Sequence, residues 1–146
     1  MFLALINALA NYEKLKRPNA AARSRLLRDA FGTHKRFDAF LAWYNGTPVG
    51  YAILFETYSS FVALPTLYLE DIFILQEYRS LGIGRKLFAT CLREAKTRGC
   101  GRMEWVVLDW NKTAIRFYEK IGATHLREWY TFRITQKSFS KILPRL

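Results

Sequence analysis

Cysteine and histidine are scarce in this chain of 146 residues, which carries two of each. Cys91 and Cys100 fall in or beside one predicted helix, and their spacing does not suit a zinc site. They read as reduced, structural thiols. His34 and His125 stand far apart, so no metal cluster is expected. Long apolar runs are missing too, and nothing approaches the roughly 18 residues that cross a bilayer. The opening "MFLALINALANYEKL" lacks the basic start of a signal peptide. Its Phe2, Leu3, Ile6, Leu9 and Tyr12 recur at helical spacing instead, so it reads as an amphipathic helix of a cytoplasmic protein. No repeat, Pro/Gly-rich linker or low-complexity tract divides the chain, which predicts one domain over residues 1–146. Acid is the other deficit, with 12 acidic residues against 23 basic ones and a net charge of +11. Such a field suits a nucleic acid, an anionic surface or an anionic small ligand, and equally a merely basic exterior.

What is present is half apolar and 16% aromatic, enough for a real core. The patterning predicts a helix over about residues 2 to 16, broken at Pro18, and a basic helix from Ala20 to Phe31 ending at Gly32. Two apolar runs joined by Asn45-Gly46 predict a β-hairpin. A third strand is expected over 66 to 75 and a helix from Ile83 to Arg98, closed by Gly99. A fourth strand over 102 to 110 comes next, then a helix from Lys112 to Ile121 capped by Asn111, and a last strand over 128 to 135. That order gives an α/β fold, a mixed sheet with helices on its faces.

The stretch "QEYRSLGIGRKLF", residues 76 to 88, runs from the third strand into a helix. It is not a P-loop, because Gly84 is followed by Arg85-Lys86-Leu87 without the required spacing or hydroxyl. Nor is it a dinucleotide fingerprint, whose third glycine is here Leu87. Yet glycines at a helix start leave backbone N–H groups uncovered at the positive end of the helix dipole. Arg79, Arg85 and Lys86 add full charges around them. In chemical terms this is a pyrophosphate cradle, although a lone G-x-G is more often a tight turn.

The turn has company. R-x-x-G-x-G after an apolar strand resembles the acetyl-CoA loop of the GNAT superfamily of N-acetyltransferases, and "NKTAIRFYEKIGA", 111 to 123, is similar to a second superfamily mark. "LYLEDIFI", "GCGRMEWVVLDWN" and "EWYTFRI" resemble the diamine (spermidine/spermine) N-acetyltransferase branch. The resemblance covers about residues 3 to 136 and implies a GNAT-like, mixed, mostly antiparallel sheet flanked by helices. GNAT domains usually open with a strand, whereas this chain starts inside the first helix, so a sheet without the usual first strand is expected.

By that resemblance, Ile72, Phe73 and Ile74 present backbone groups to the pantetheine arm of acetyl-CoA. Arg79, Ser80, Leu81, Gly82, Ile83, Gly84, Arg85 and Lys86 hold its pyrophosphate, and Asn111, Ala114 and Tyr118 line the other wall. Tyr118 follows Asn111 by seven residues and Ile115 by three, hence shares their helical face. Its implied role is to protonate the leaving thiolate. Reference pKa values near 10 for tyrosine and 8.5 for a thiol make that transfer uphill by about 2 kcal/mol, so Tyr118 orients the sulfur as much as protonates it. An acceptor amine with pKa near 10.4 is neutral about once in 2,500 molecules at pH 7, a cost of about 4.6 kcal/mol before attack. A carboxylate that binds the ammonium and relays its proton is what this chemistry needs. Glu70 matches the family's substrate-binding acid, but alternation sends Glu70 and Asp71 to opposite faces of a strand unless a bulge intervenes. Glu104 and Glu128 are secondary acids, and Trp105, Trp110 and Trp129 are candidates for cation–π contact or, for at least two of them, core packing. The expectation is a homodimeric, metal-free acetyltransferase acting on a small amine. Acetylation of a protein or peptide amine is the alternative. A basic nucleic-acid-binding module, built on Lys14, Lys16, Arg17, Arg23, Arg25 and Arg28 with Lys137, Lys141 and Arg145 of the tail, is the reading of a different class.

Overall fold

The structure, a computed structural model, describes all residues from 1 to 146. The chain falls into two compact units, Met1–Val106 and Val107–Leu146. The first unit contains helices α1 (Phe2–Tyr12), α2 (Ala20–Phe31) and α3 (Ile83–Thr97) and strands β1 (Asp38–Tyr44), β2 (Thr47–Ser59), β3 (Leu64–Ile74) and β4 (Arg102–Glu104). The strands form one sheet in the order β1-β2-β3-β4, antiparallel except for the β3–β4 pair. This is the expected α/β, mostly antiparallel sheet with helices on it, and the chain enters it at a helix.

Asn45 and Gly46 take φ of +47° and +77°, the left-handed pair that a two-residue hairpin turn demands. Asn19 caps α2 by accepting a hydrogen bond from the Ala22 N–H at 2.9 Å. α1 is shorter than its apolar spacing predicts because Lys14 adopts φ +57° and turns the chain back, with the Leu15 N–H bonding Ala10 O at 2.8 Å.

Two cores flank the sheet. Phe2 and Leu5 of α1 and Ala30 of α2 pack with Tyr51, Ile53 and Phe73 on one face. Leu87, Phe88, Cys91 and Ala95 are the buried stripe of α3, and Gly84 at its start lies beside Ile74. Gly50 is required where β2 meets β3, since a Cβ there would come within 2.6 Å of Phe73 O. Both cysteines are free thiols, and burial pushes that of Cys91 up to about 11.

The β2–β3 register carries one irregularity, and it shapes the whole acidic end of β3. Ile53 pairs with Asp71 and Leu54 with Leu69, so Glu70 is an extra residue, a β-bulge. Bulges bend and twist the strand that carries them. The parallel ladder to β4 accordingly ends at Tyr68–Glu104, and the expected strand over 102 to 110 is only three residues long.

The second unit contains α4 (Lys112–Lys120) and α5 (Gln136–Ile142). The strand expected over 128 to 135 is not formed. A strand needs a ladder partner, and this unit has none to offer. No helix of the chain is long and apolar enough to cross a membrane.

Candidate active site

The loop between β3 and α3 is built as a donor array. Ser80 and Gly82 take φ of +66° and +77°, and Gly82 is the N-cap of α3 with no side chain capping the helix. The first intrahelical bond runs from the Lys86 N–H to Gly82 O at 3.1 Å. The amides of Ile83, Gly84 and Arg85 therefore have no acceptor within the helix, and they lie at the positive end of its dipole. Ser80, Leu81, Arg85 and Lys86 are exposed around them. Arg79 is differently placed: its Nε donates to Ile74 O at 3.0 Å, and its main-chain N–H bonds Gln76 O at 3.2 Å.

Beyond the bulge, β3 pairs with β2 alone. The Leu75 N–H bonds Val49 O at 2.9 Å, and N–H and C=O directions alternate along a strand. Phe73 therefore directs its backbone groups to β2, while Ile72 and Ile74 direct theirs to the open edge. Of the three residues expected to offer backbone bonds, Ile72 has both groups on that edge, and Ile74 O already accepts from Arg79.

The bulge also answers the question of the two acids. Tyr51 and Ile53 face the α1 core, so their partners Phe73 and Asp71 face it as well. Leu69 pairs with Leu54 on the opposite face, and Glu70, next along the strand, turns back to the α1 side. Glu70 and Asp71 thus share a face. The Tyr51 hydroxyl donates to Asp71 Oδ2 at 3.0 Å. Burial pushes the Asp71 carboxyl up to about 6, the Tyr51 hydrogen bond opposes the rise, and the charges of Glu70 and Glu13 add to it. Burial, and then Asp71 beside it, likewise raises the Tyr51 hydroxyl above its usual range.

Glu13, just past the end of α1, completes a group of three carboxylates. Burial raises its pKa. Sequence reasoning passed it over, although it is the only acid before Asp29 in a strongly basic stretch, and that was the available signal. Neither Glu13, Glu70 nor Asp71 belongs to an ion pair, whereas Asp29, Asp38, Glu56, Glu94 and Glu104 all do.

The secondary candidates separate. Glu104 is paired with Arg102 at 3.0 Å, and with Glu70 it raises the pKa of Tyr68, whose largest cause is burial. Trp105 packs edge-on against Phe88 of α3 at 5.3 Å, a core role. Trp110 and Trp129 are 48% and 74% exposed, so core packing holds for one of the three tryptophans and not for two. In the second unit, Glu128 lies in an exposed turn. Asn111 caps α4 through the Ala114 N–H at 3.3 Å, and Tyr118 is half-buried with its ring 5.5 Å from that of Phe117. An open cavity of about 440 Å³ lies among Arg28, Asp29, Thr33, His34 and Arg36 and includes no residue expected to bind acetyl-CoA or the amine.

A donor array at a helix start, an open strand edge beside it, and Glu70 and Asp71 on the same strand stand together in the first unit, and known proteins supply the family. The model of the acetyltransferase (GNAT) family matches residues 5–123. A thialysine N-epsilon-acetyltransferase of Sus scrofa is 33% identical over 151 residues, covering 96% of this chain and 88% of the relative. An L-ornithine N5-acetyltransferase of Arabidopsis thaliana is 41% identical over 93 residues, which are 64% of this chain and 41% of that protein. Among solved structures, an integron cassette protein from the mobile metagenome of V. cholerae shares the fold, with a TM-score of 0.78 at 23% identity over 96% of this chain and 87% of that one. Acetyl-CoA is the cosubstrate typical of the family. The chain belongs to the GNAT acetyltransferase family and is an N-acetyltransferase enzyme.

Proposed function

We propose that this enzyme acetylates the terminal amine of a small cationic acceptor: a diamine, a polyamine or a basic amino acid of the thialysine or ornithine kind. The observation that carries the reading is the group Glu13, Glu70 and Asp71, three carboxylates on one side of the sheet with no cation of the protein paired to them. In a chain of net charge +11, acids left unpaired in this way suit a ligand that brings its own positive charge. The names of the similar enzymes, which act on thialysine and on L-ornithine, support the same class.

The cosubstrate's pyrophosphate is assigned to the loop from Ser80 to Lys86. Gly84 supports this assignment. It sits in the first turn of α3, where glycine costs about 1 kcal/mol relative to alanine. A Cβ there would meet only Ile74 at 3.6 Å, an ordinary contact, so the free protein does not need a glycine at this position. A ligand that approaches the backbone does. The pantetheine arm is assigned to the open edge at Ile72, and Asn111, Ala114 and Tyr118 of α4 are assigned to the cosubstrate on the family resemblance alone.

In the reaction, the amine nitrogen attacks the acetyl carbonyl carbon, the carbon–sulfur bond breaks, and the nitrogen loses a proton. Glu70 accepts that proton, directly or through water, and Tyr118 donates a hydrogen bond or its proton to the departing thiolate. The family match crosses the junction between the two units, which supports treating residues 1–146 as one acetyltransferase domain. A homodimer belongs to this reading, and the exposed Trp129, Tyr130, Phe132 and Ile134 support it as surface awaiting cover.

The test is a panel of thialysine, ornithine, putrescine, spermidine and a lysine peptide, each with acetyl-CoA, followed by thiol release. Turnover of one or more free amines is the expected result. Turnover of the peptide alone would assign the enzyme to protein acetylation instead.

A further inference from the structure

Arg79 opens the loop that is assigned to phosphates, yet its side chain is held elsewhere. Its Nε donates to Ile74 O at 3.0 Å, and its Cζ stands 4.5 Å from the centre of the Tyr12 ring and 5.5 Å from that of Phe73. The Tyr12 and Phe73 rings are themselves 6.1 Å apart. One planar cation therefore joins the end of β3, the last residue of α1 and the start of the loop. A guanidinium is suited to this, because it stacks flat on a ring while its edge donates to a carbonyl. Tyr12 is followed at once by Glu13, where Lys14 turns the chain away at φ +57°. Holding the Tyr12 ring therefore holds the end of α1, from which Glu13 extends.

We propose that Arg79 is a positioning residue for acceptor recognition, which clamps the last turn of α1 through Tyr12 and so holds Glu13 in the acceptor cluster, rather than a ligand of the cofactor's phosphates. The inference rests on the proposed function, in which the cluster binds the amine. It also explains why the loop keeps an arginine whose Nε faces the strand and not the uncovered amides of α3.

The test compares Arg79→Met, Tyr12→Leu, Tyr12→Phe and the double variant in the full chain. Three readouts apply: amide hydrogen exchange of residues 9–15, coenzyme A affinity by calorimetry, and KM for thialysine. Arg79→Met and Tyr12→Leu are each expected to speed exchange and raise the KM by about threefold to tenfold, the range of a cation–π contact, with coenzyme A affinity held within about twofold. Tyr12→Phe keeps the ring, so its exchange and KM should lie much nearer wild type than those of Tyr12→Leu. The double variant should lose less than the two single losses combined, because the Arg79–Tyr12 contact is removed in both.

A weaker coenzyme A affinity in Arg79→Met but not in Tyr12→Leu would make Arg79 a phosphate ligand and overturn the proposal. An equal loss in every readout together with a lower Tm would reduce Arg79 to a structural residue and overturn it as well. The exchange and coenzyme A arms need no acceptor. Glu13→Gln separates the clamp from the acceptor cluster on which it depends. An unchanged thialysine KM in Glu13→Gln removes Glu13 from the cluster, and the clamp with it. A raised KM there, with an unchanged KM in Arg79→Met, removes the clamp alone.

Discussion

Two groups of three carboxylates stand in the first unit, and they are treated in opposite ways. Asp38 of β1, Glu56 of β2 and Glu94 of α3 surround Arg98, with contacts of 2.7, 3.4 and 2.8 Å. Glu13, Glu70 and Asp71 have no such partner, and burial and mutual repulsion hold Asp71 well above an ordinary carboxyl. In the first group one guanidinium ties a helix end to two strands, so the acids serve the fold. In the second no cation of the protein offsets the charge, and under the proposed function a cationic acceptor would do so. The difference teaches how to tell a binding acid from a structural one in a basic protein: a structural acid has a cation supplied to it by the chain.

The sharpest test of the contrast is to remove one charge from the unpaired group. Glu70→Gln should lower kcat/KM for a cationic amine by about 10- to 100-fold, the worth of a hydrogen bond to a charged group, while coenzyme A affinity holds. Raising the pH from 7 to 9 supplies neutral amine from solution and should partly rescue this variant. Tyr118→Phe gives the control. It keeps the ring, loses kcat rather than KM, and should not be rescued, because the thiolate's need for a partner does not depend on how the amine lost its proton. Steady-state kinetics of both variants across that range decide the roles, and a like response to pH would overturn them.

The paired group should answer in stability instead. Arg98→Met leaves three carboxylates facing one another, and denaturant unfolding should register a loss of about 2 kcal/mol, lower than for a fully buried pair because these groups are partly solvated. The KM for the amine should not move. If Arg98→Met raised that KM as much as Glu70→Gln does, the division between fold and site would be lost.

Much of this architecture was legible in the sequence, for identifiable reasons. The Asn45-Gly46 turn, the Asn111 cap and the close of α3 at Gly99 are local signals, and each one formed. What depended on pairing was not legible. The alternation rule could state that Glu70 and Asp71 part company unless a bulge intervenes, but only the register against Ile53 and Leu54 shows that one does. The apolar alternation of residues 128 to 135 promised a strand, yet strand formation is a property of two segments, and the second is missing from that unit. The contact of Arg79 with the Tyr12 ring was not legible either, because the two lie sixty-seven positions apart in the chain, beyond any spacing argument.

The smallest expected effect probes the unpaired group without any ligand. Asp71 has a folded pKa of about 6 against 3.8 for the ordinary group, so the native state holds its proton more tightly than the unfolded chain does. Between those values the native protein binds more protons than the unfolded one, and stability must fall as pH rises through that window. Below it both states are protonated and the penalty is absent; above it both are ionised and the penalty is complete. Asp71→Asn keeps an acceptor for the Tyr51 hydroxyl and removes the buried charge. A shift of that size corresponds to about 3 kcal/mol, but the weaker hydrogen bond to a neutral amide and local relaxation leave a gain of about 1 kcal/mol. Thermal unfolding should therefore find the variant no more stable than wild type near pH 4 and more stable by a few degrees at pH 7 to 8. The same substitution should cost amine affinity at pH 7 to 8, so stability and recognition move in opposite directions. A variant destabilised equally at both pH values would mean that Asp71 serves the Tyr51 core as a structural acid, and the unpaired group would shrink to Glu13 and Glu70.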